Sequence, residues 1–270
     1  MARQRLGQHF LQDEGWREEI ASAIRVSRHA HERPETRSEP YCWIEIGAGH
    51  GEMTAFLASA GVPVYAVELD PPLVSHLQSI AKKLPNLMVI AGDVLETDLA
   101  AIANGRRIRL YGNLPYYITS PILHHFFENA SLIDEMHIVI QLEVALRLVA
   151  SPGTRDYGYL SVLTQYFSKP SLALKLPPNA FQPPPEVASA LVSLKLPGEK
   201  ARLEITDDTK FLDFVKTCFA QKRKTLVNNL RKLAEPAKVK ADLTSLGLGT
   251  AARAEELPVA TLAELFKKNS

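Results

Sequence analysis

Apolar residues along this chain fall in short, dense runs: YCWIEI at 41–46, VPVYAVEL at 62–69, LMVIA at 87–91, IRLY at 108–111 and MHIVIQL at 136–142. Stretches with helical potential separate them. Strands that are apolar at nearly every position need cover on both faces, so this alternation predicts a mostly parallel sheet with helices on either side, a doubly wound α/β fold. Two later runs, LALKL at 172–176 and SALVSLKL at 189–196, flank the Pro-rich NAFQPPPEVAS and predict an antiparallel hairpin closing one sheet edge. From about residue 198 the pattern changes to short helices: FLDFVKTCFA, then TLVNNLRKLA with Leu226, Leu230 and Leu233 at helical spacing, then an amphipathic piece around TLAELF. The expected division is a larger domain at 1–197 and a small all-helical domain at 198–270, too short to be stable without packing on the first. Residues 28–40, RHAHERPETRSEP, are charged and lack an apolar period, and so read as an exposed loop.

In a doubly wound sheet the ligand sits at the carboxyl ends of the central strands. GAGHG, ELD, GD and NLPY all fall at such ends. In WIEIGAGHGEMT, Gly47, Gly49 and Gly51 follow a strand and precede a helix, where bare backbone lets a ligand approach closely. The dinucleotide fingerprint is GxGxxG, but here Glu52 stands where its third glycine belongs. ExGxGxG favours S-adenosylmethionine, and a purely structural strand-to-helix turn is the alternative. Glu68, at the second strand tip, can accept ribose hydroxyls in bidentate fashion; Asp93, at the third, can accept an adenine amino group. Either acid could instead be a surface or capping residue, although Asp70 before Pro71 is the better helix N-cap, and Glu68 alone would also suit a nicotinamide cofactor.

YGNLPYYITSP, at 111–121, places an Asn, a Pro and three tyrosines on the lip of the fourth strand. Plain packing and chain breaking would account for them, yet so would a methyl acceptor facing the cofactor. The N6 lone pair of adenine is delocalised into its ring, so a site that methylates it must hold the amine through its hydrogens. Asn113 offers a side-chain carbonyl for this. Pro115 keeps Leu114 extended and has no N–H, which turns a backbone carbonyl to the pocket, and Tyr116 can cover the base face. Phe181, in the stiff FQPPPEV loop, is the candidate second wall, or else a residue capping the core. A stacked base cannot enter such a pocket, so the target would be single-stranded, looped or flipped.

Composition narrows these readings. The chain has 270 residues, 46% apolar and 23% charged, which fits an ordinary globular protein without a membrane span. Its basic start, MARQRLGQHF, lacks the apolar stretch of a secretory signal, so a cytoplasmic location is expected. Cys42 and Cys218 are far apart and no Cys or His residues cluster at ligand spacing, so no metal is expected. The net charge of +1 conceals an asymmetry: residues 1–197 hold 17 Lys/Arg against 20 Asp/Glu, whereas 198–270 hold 14 against 10. Seven of those basic residues fall within QKRKTLVNNLRKLAEPAKVK at 221–240, facing a single Glu235. This is either a solvated helix face or a surface for a phosphate backbone, with Lys222, Arg223, Lys224 and Arg231 as the candidate contacts.

GQHFL, EIGAGHGEMT, ELD, GD, GNLPYYIT, FQPPPEVAS and QKRKTLVNNL occur in the order, and over nearly the length, of the KsgA-type dimethyltransferases of the rRNA adenine dimethylase family, which the chain therefore resembles. The resemblance implies an S-adenosylmethionine-dependent enzyme, with a Rossmann-like fold, that dimethylates N6 of two adjacent adenosines near the 3′ end of 16S rRNA during late small-subunit assembly. A monomer is expected. The resemblance also implies cofactor contacts from His9, Leu11, Gly47, Gly49, Glu68, Asp93 and Asn113, with Asn113, Leu114, Tyr116 and Phe181 around the acceptor base. His9 and Tyr117 stand where Asn is common in the family, and FQPPPEVAS carries an extra central Pro. The alternatives are an antibiotic-resistance-type methyltransferase of large-subunit rRNA, an assembly factor with reduced catalysis and, more remotely, a nicotinamide dehydrogenase. The first is disfavoured by a pI near 7.8 and by the confinement of positive charge to one segment.

Overall fold

The computed structural model describes residues 9–25, 40–115 and 118–269. Most of the charged 28–40 segment, and both Tyr116 and Tyr117, lie outside that set. The described residues form nine strands: β1 (Phe10–Leu11), β2 (Tyr41–Ile46), β3 (Val64–Glu68), β4 (Leu87–Ala91), β5 (Arg107–Asn113), β6 (Ile133–Gln141), β7 (Lys169–Leu176), β8 (Phe181–Gln182) and β9 (Ser189–Lys195). Seven make one sheet in the order β4-β3-β2-β5-β6-β9-β7. Strands β4, β3, β2, β5 and β6 run parallel, and β9 is antiparallel to β6, from Glu135 opposite Lys195 to Gln141 opposite Ser189.

The dense apolar runs are the interior of this sheet. Cys42, Trp43, Ile44, Val64, Ala66, Ile108, Leu110 and Ile138 are all at most 1% exposed, because helices cover both faces of the central strands. The helix Glu14–Ala23 contributes Ile20 and Ala21 to one face and is N-capped by Asp13, whose carboxylate accepts from Trp16 N. The helix Pro71–Ala81 starts with proline at its first position and buries Leu73, Val74 and Leu77. Asp70 holds the N-cap position there without making the expected side-chain cap bond.

The expected edge hairpin is elaborated. β7 and β9 are neighbours, but the loop joining them contains β8, which leaves the main sheet and pairs with β1. In this two-stranded antiparallel ladder Phe10 is opposite Gln182 and Leu11 opposite Phe181.

The structure divides into two compact units whose boundaries differ from the expected cut at 197. One holds the described residues up to Ala145 with Ser171–Leu196; the other joins Leu146–Pro170 to the residues from Pro197 onward. The helix Tyr159–Phe167 explains the difference, since Val162, Leu163, Tyr166 and Phe167 are all buried. In this second unit the Tyr166 ring lies 4.8 Å from Phe211 and its hydroxyl donates to Asp208. Gly198 closes onto the end of the same helix, with its N–H donating to Phe167 O.

The helical region holds Asp208–Cys218, Leu226–Asn229, Pro236–Ser245 and Val259–Asn269. TLVNNLRKLA is not one helix but a single α-turn followed by a 3-10 turn at Leu230–Lys232. Leu226 and Leu230 are buried, whereas Leu233 is 57% exposed because the change of pitch carries it off their shared face.

Candidate functional site

The glycine turn after β2 is built from three left-handed residues with different surroundings: Gly47 at φ 62°, Gly49 at φ 59° and Gly51 at φ 85°. A Cβ on Gly47 would meet nothing within 4 Å, one on Gly49 would lie 3.1 Å from the Phe10 ring, and one on Gly51 would lie 2.9 Å from Ile80. The turn therefore opens to a ligand at Gly47, passes beneath Phe10 at Gly49 and packs on the helix behind it at Gly51. A buried carboxyl braces it from below. Glu45 accepts a hydrogen bond from Thr54 Oγ1, and burial, reinforced by the negative charges of Glu52 and Glu68, pushes its pKa up to about 8.

Glu68 ends β3 almost fully buried. Its Oε2 accepts from Gly49 N at 2.9 Å, and its Oε1 from Leu69 N at 2.9 Å and Asp70 N at 3.0 Å. The carboxylate thus ties the glycine turn to the turn after β3. Three of its roughly four acceptor positions are occupied, so bidentate acceptance of a diol requires one of these three bonds to yield. Asp93, following β4, spends Oδ1 on capping Leu95 N and retains Oδ2 for a ligand.

These groups line one cavity of about 220 Å³, together with His9, Phe10, Leu69, Asn113, Leu114 and Pro115. Sequence-predicted residues from four strand ends therefore meet in a single space, as a doubly wound sheet dictates. Asn113, the last residue of β5, donates from Nδ2 to His9 O at 2.8 Å. Leu114 donates its N–H to Val139 O on β6, and its side chain is buried. What Leu114 can offer a ligand is thus its carbonyl.

Two expected site residues, Leu11 as a cofactor contact and Phe181 as the second wall of the base pocket, are not cavity residues. Leu11 and Phe181 are 3% and 4% exposed and share the hydrophobic core with Trp43, Tyr111 and Leu191. They are partners in the β1–β8 ladder, and this register turns both side chains inward together. Phe10 lines the cavity in place of Leu11, with its ring edge-on to His50 at a centroid distance of 4.4 Å. Leu69, exposed by 55% on the cavity lip, is a second lining residue that the sequence reading missed. Its signal was an apolar side chain directly after the strand-end acid.

The basic segment has its own geometry. KRK occupies a turn rather than a helix, and that turn is held by Asn229 Nδ2, which donates to Cys218 O at 2.7 Å and Gln221 O at 3.2 Å. Lys224 and Arg231 line a groove with Lys216, Lys232, Gln221 and Asn228. Lys222 is not among them. Its Nζ donates to Arg155 O and lies 3.9 Å from Glu255, so this cation serves the fold of its own unit. Arg223 is exposed outside the groove. Among the described residues, no cluster of His, Cys, Asp and Glu could hold a metal ion, and no helix is long and apolar enough to cross a membrane.

The family profile for ribosomal RNA adenine dimethylase matches residues 1–269. The chain belongs to that family. It is 42% identical over 226 residues to the ribosomal RNA small subunit methyltransferase A of Acidobacterium capsulatum, covering 83% of this chain and 80% of that protein. Its identity to the protein of the same name from Xanthomonas euvesicatoria is 39% over 266 residues, covering 98% and 95%. A crystal structure of a dimethyladenosine transferase from Plasmodium falciparum has the same fold, with a TM-score of 0.75 at 22% identity over 97% of this chain and 98% of that one. That of the 23S rRNA methyltransferase ErmE gives 0.68 at 27% identity, over 96% and 98%. The glycine turn, the two strand-end acids and the Asn113–Leu114–Pro115 corner thus share one cavity in a member of this family.

Proposed function

We propose that this chain dimethylates N6 of two adjacent adenosines near the 3′ end of 16S rRNA, in a small-subunit assembly intermediate, using S-adenosylmethionine. The observation that carries this reading is the opening of the Asn113–Leu114–Pro115 corner onto the same cavity as Gly47, Glu68 and Asp93. The residues present suit the methyl donor: Glu68 and Asp93 supply acceptors for ribose hydroxyls and an adenine amino group, Gly47 leaves room for close approach, and Leu69 offers an apolar face for the adenine ring. When bound, S-adenosylmethionine supplies a methyl carbon on a sulfonium, a good leaving group.

The chain's own task is to hold the acceptor amine. Asn113 Oδ1 and Leu114 O are two acceptors for the N6 hydrogens, and Pro115 adds no competing N–H. Holding those hydrogens in the acceptor plane frees the lone pair to point at the methyl carbon, and the proton displaced from N6 leaves to solvent. Placement and fixed dipoles carry the rate, without a strong base. Tyr116 is assigned to cover the base face; Phe181, in the core, supports the β1–β8 ladder instead.

The groove containing Lys224 and Arg231 is assigned to the rRNA phosphate backbone. The relatives at 39–42% identity bear the name ribosomal RNA small subunit methyltransferase A, which supports the 16S substrate over the resistance-type alternative. A cytoplasmic enzyme that acts as a monomer is part of the same proposal. The test offers labelled S-adenosylmethionine with unmodified small subunits, with large-subunit RNA, or with no RNA, followed by digestion to nucleosides. Dimethyladenosine from the small subunit alone is expected, and label in large-subunit RNA would overturn the assignment. Asn113→Ala should lose methyl transfer at least ~100-fold while still binding the methyl donor.

A further inference from the structure

Asn113 can serve as an acceptor only if its amide faces the right way, and the structure contains a device that fixes this. His9 O has lone pairs and no hydrogen, so the Asn113 atom 2.8 Å from it must be Nδ2. Turning the amide over would set two acceptors against each other. With Nδ2 so engaged, Oδ1 is the atom left for a donor in the cavity.

That fixture is only as good as the placement of the His9 carbonyl. Three features hold it. Downstream, Leu11 is buried in the core and β1 pairs with β8, continued by Gln12 N donating to Ala180 O at 3.1 Å. Beside it, Phe10 lies over Gly49 and against the His50 ring. At the residue itself, His9 Nδ1 lies 2.7 Å from Pro183 O, just past β8. A carbonyl can only accept, so Nδ1 carries the hydrogen there and the imidazole clasps the start of β1 to the loop after β8.

Resting on the proposed methyl transfer, we propose that His9 is a positioning residue, whose side chain clasps the Pro183 carbonyl so that its own backbone carbonyl locks the Asn113 amide with Oδ1 toward the acceptor amine. This role differs from a contact with the methyl donor. A donor contact acts on donor affinity, whereas amide orientation matters when N6 attacks and so acts on kcat. It also bears on both rounds of methylation, because the monomethylated amine retains one hydrogen and still needs a correctly turned acceptor.

The test compares the full-length wild-type chain with His9→Ala, His9→Leu and His9→Asn in steady-state methylation of unmodified small subunits, alongside equilibrium binding of S-adenosylmethionine. Asn places a terminal N–H where the imidazole Nδ1–H stands; Leu keeps bulk without the donor and covers the case in which the alanine variant folds poorly. Expected are a loss in kcat of ~10-fold or more for Ala and Leu, donor affinity within ~3-fold of wild type, and recovery by Asn to within ~3-fold of wild-type kcat. Unchanged kcat in Ala and Leu overturns the proposal, as does a loss confined to donor affinity or an Asn variant no better than Leu. A wild-type chain that leaves the small subunit unlabelled would instead overturn the functional reading, so the two failures are distinguishable.

Discussion

Replacing Glu45 with Gln should make the protein more stable, by an amount that grows with pH. The carboxyl is 2% exposed, and burial raises its pKa from the ordinary 4.5 to about 8, with Glu52 and Glu68 adding to the rise and the Thr54 bond opposing it. For a group whose pKa is raised on folding, the native state is favoured in full below the unfolded value, and the advantage fades as pH climbs toward the folded one. Below about pH 4.5 the acid is neutral in both states, and between 4.5 and 8 only the unfolded chain ionises it. At ~1.36 kcal/mol per pH unit, wild type should lose ~3 kcal/mol of stability through this group by pH 7 and ~4 kcal/mol by pH 8, where the folded carboxyl is itself half ionised. Glutamine keeps the neutral acid's shape and can still accept from Thr54, so Glu45→Gln should remove the slope. Urea unfolding of both chains at pH 5, 6, 7 and 8 gives the difference directly, since all other titrating groups are shared. A difference that stays flat, or a variant that becomes relatively less stable as pH rises, would refute a neutral Glu45 under the glycine turn.

Other outcomes follow from the same geometry. Gly49→Ala strains a residue at φ 59° and pushes a methyl to 3.1 Å from the Phe10 ring; it should weaken donor binding about 10-fold by calorimetry at a folding cost of ~1–2 kcal/mol. Neutralising Lys224 and Arg231 should each lower the salt slope of small-subunit binding by about one, whereas Lys222→Gln should leave that slope intact. Equal effects at the three positions would remove the distinction between groove and internal cation. Gly198→Ala would bring a methyl to 2.3 Å from Ser168 N and 2.5 Å from Gln165 O, backbone atoms that cannot swing aside, so thermal unfolding should show a loss of ~2–3 kcal/mol or more.

The main sheet and the gathering of Gly47, Glu68, Asp93 and Asn113 at one cavity were legible because each rests on a strong local signal. Fully apolar strands announce a covered parallel sheet, and short polar motifs at their ends announce what the sheet presents. A two-residue strand gives no such signal, and so the β1–β8 ladder was invisible. Which of Phe10 and Leu11 faces the cavity depends on that ladder, as does the burial of Phe181. The sign of the charge at 221–224 was plain, but the capture of Lys222 by Arg155 O and Glu255 is a long-range contact that spacing cannot reveal. The helix Tyr159–Phe167 looked like part of the larger domain because sequence adjacency was the sole guide; its buried aromatic face belongs with Phe211.

The polypeptide passes between the two units after Ala145, again after Pro170 and once more after Leu196. A ribosome therefore releases the helix Tyr159–Phe167 long before Phe211 emerges to cover it, and that apolar surface must wait for the end of translation. For the same reason the carboxyl-terminal unit is no transplantable module: a piece starting at 198 would leave Tyr157, Val162, Leu163, Tyr166 and Phe167 of its interior behind, and a transfer between homologues would have to carry 146–170 as well.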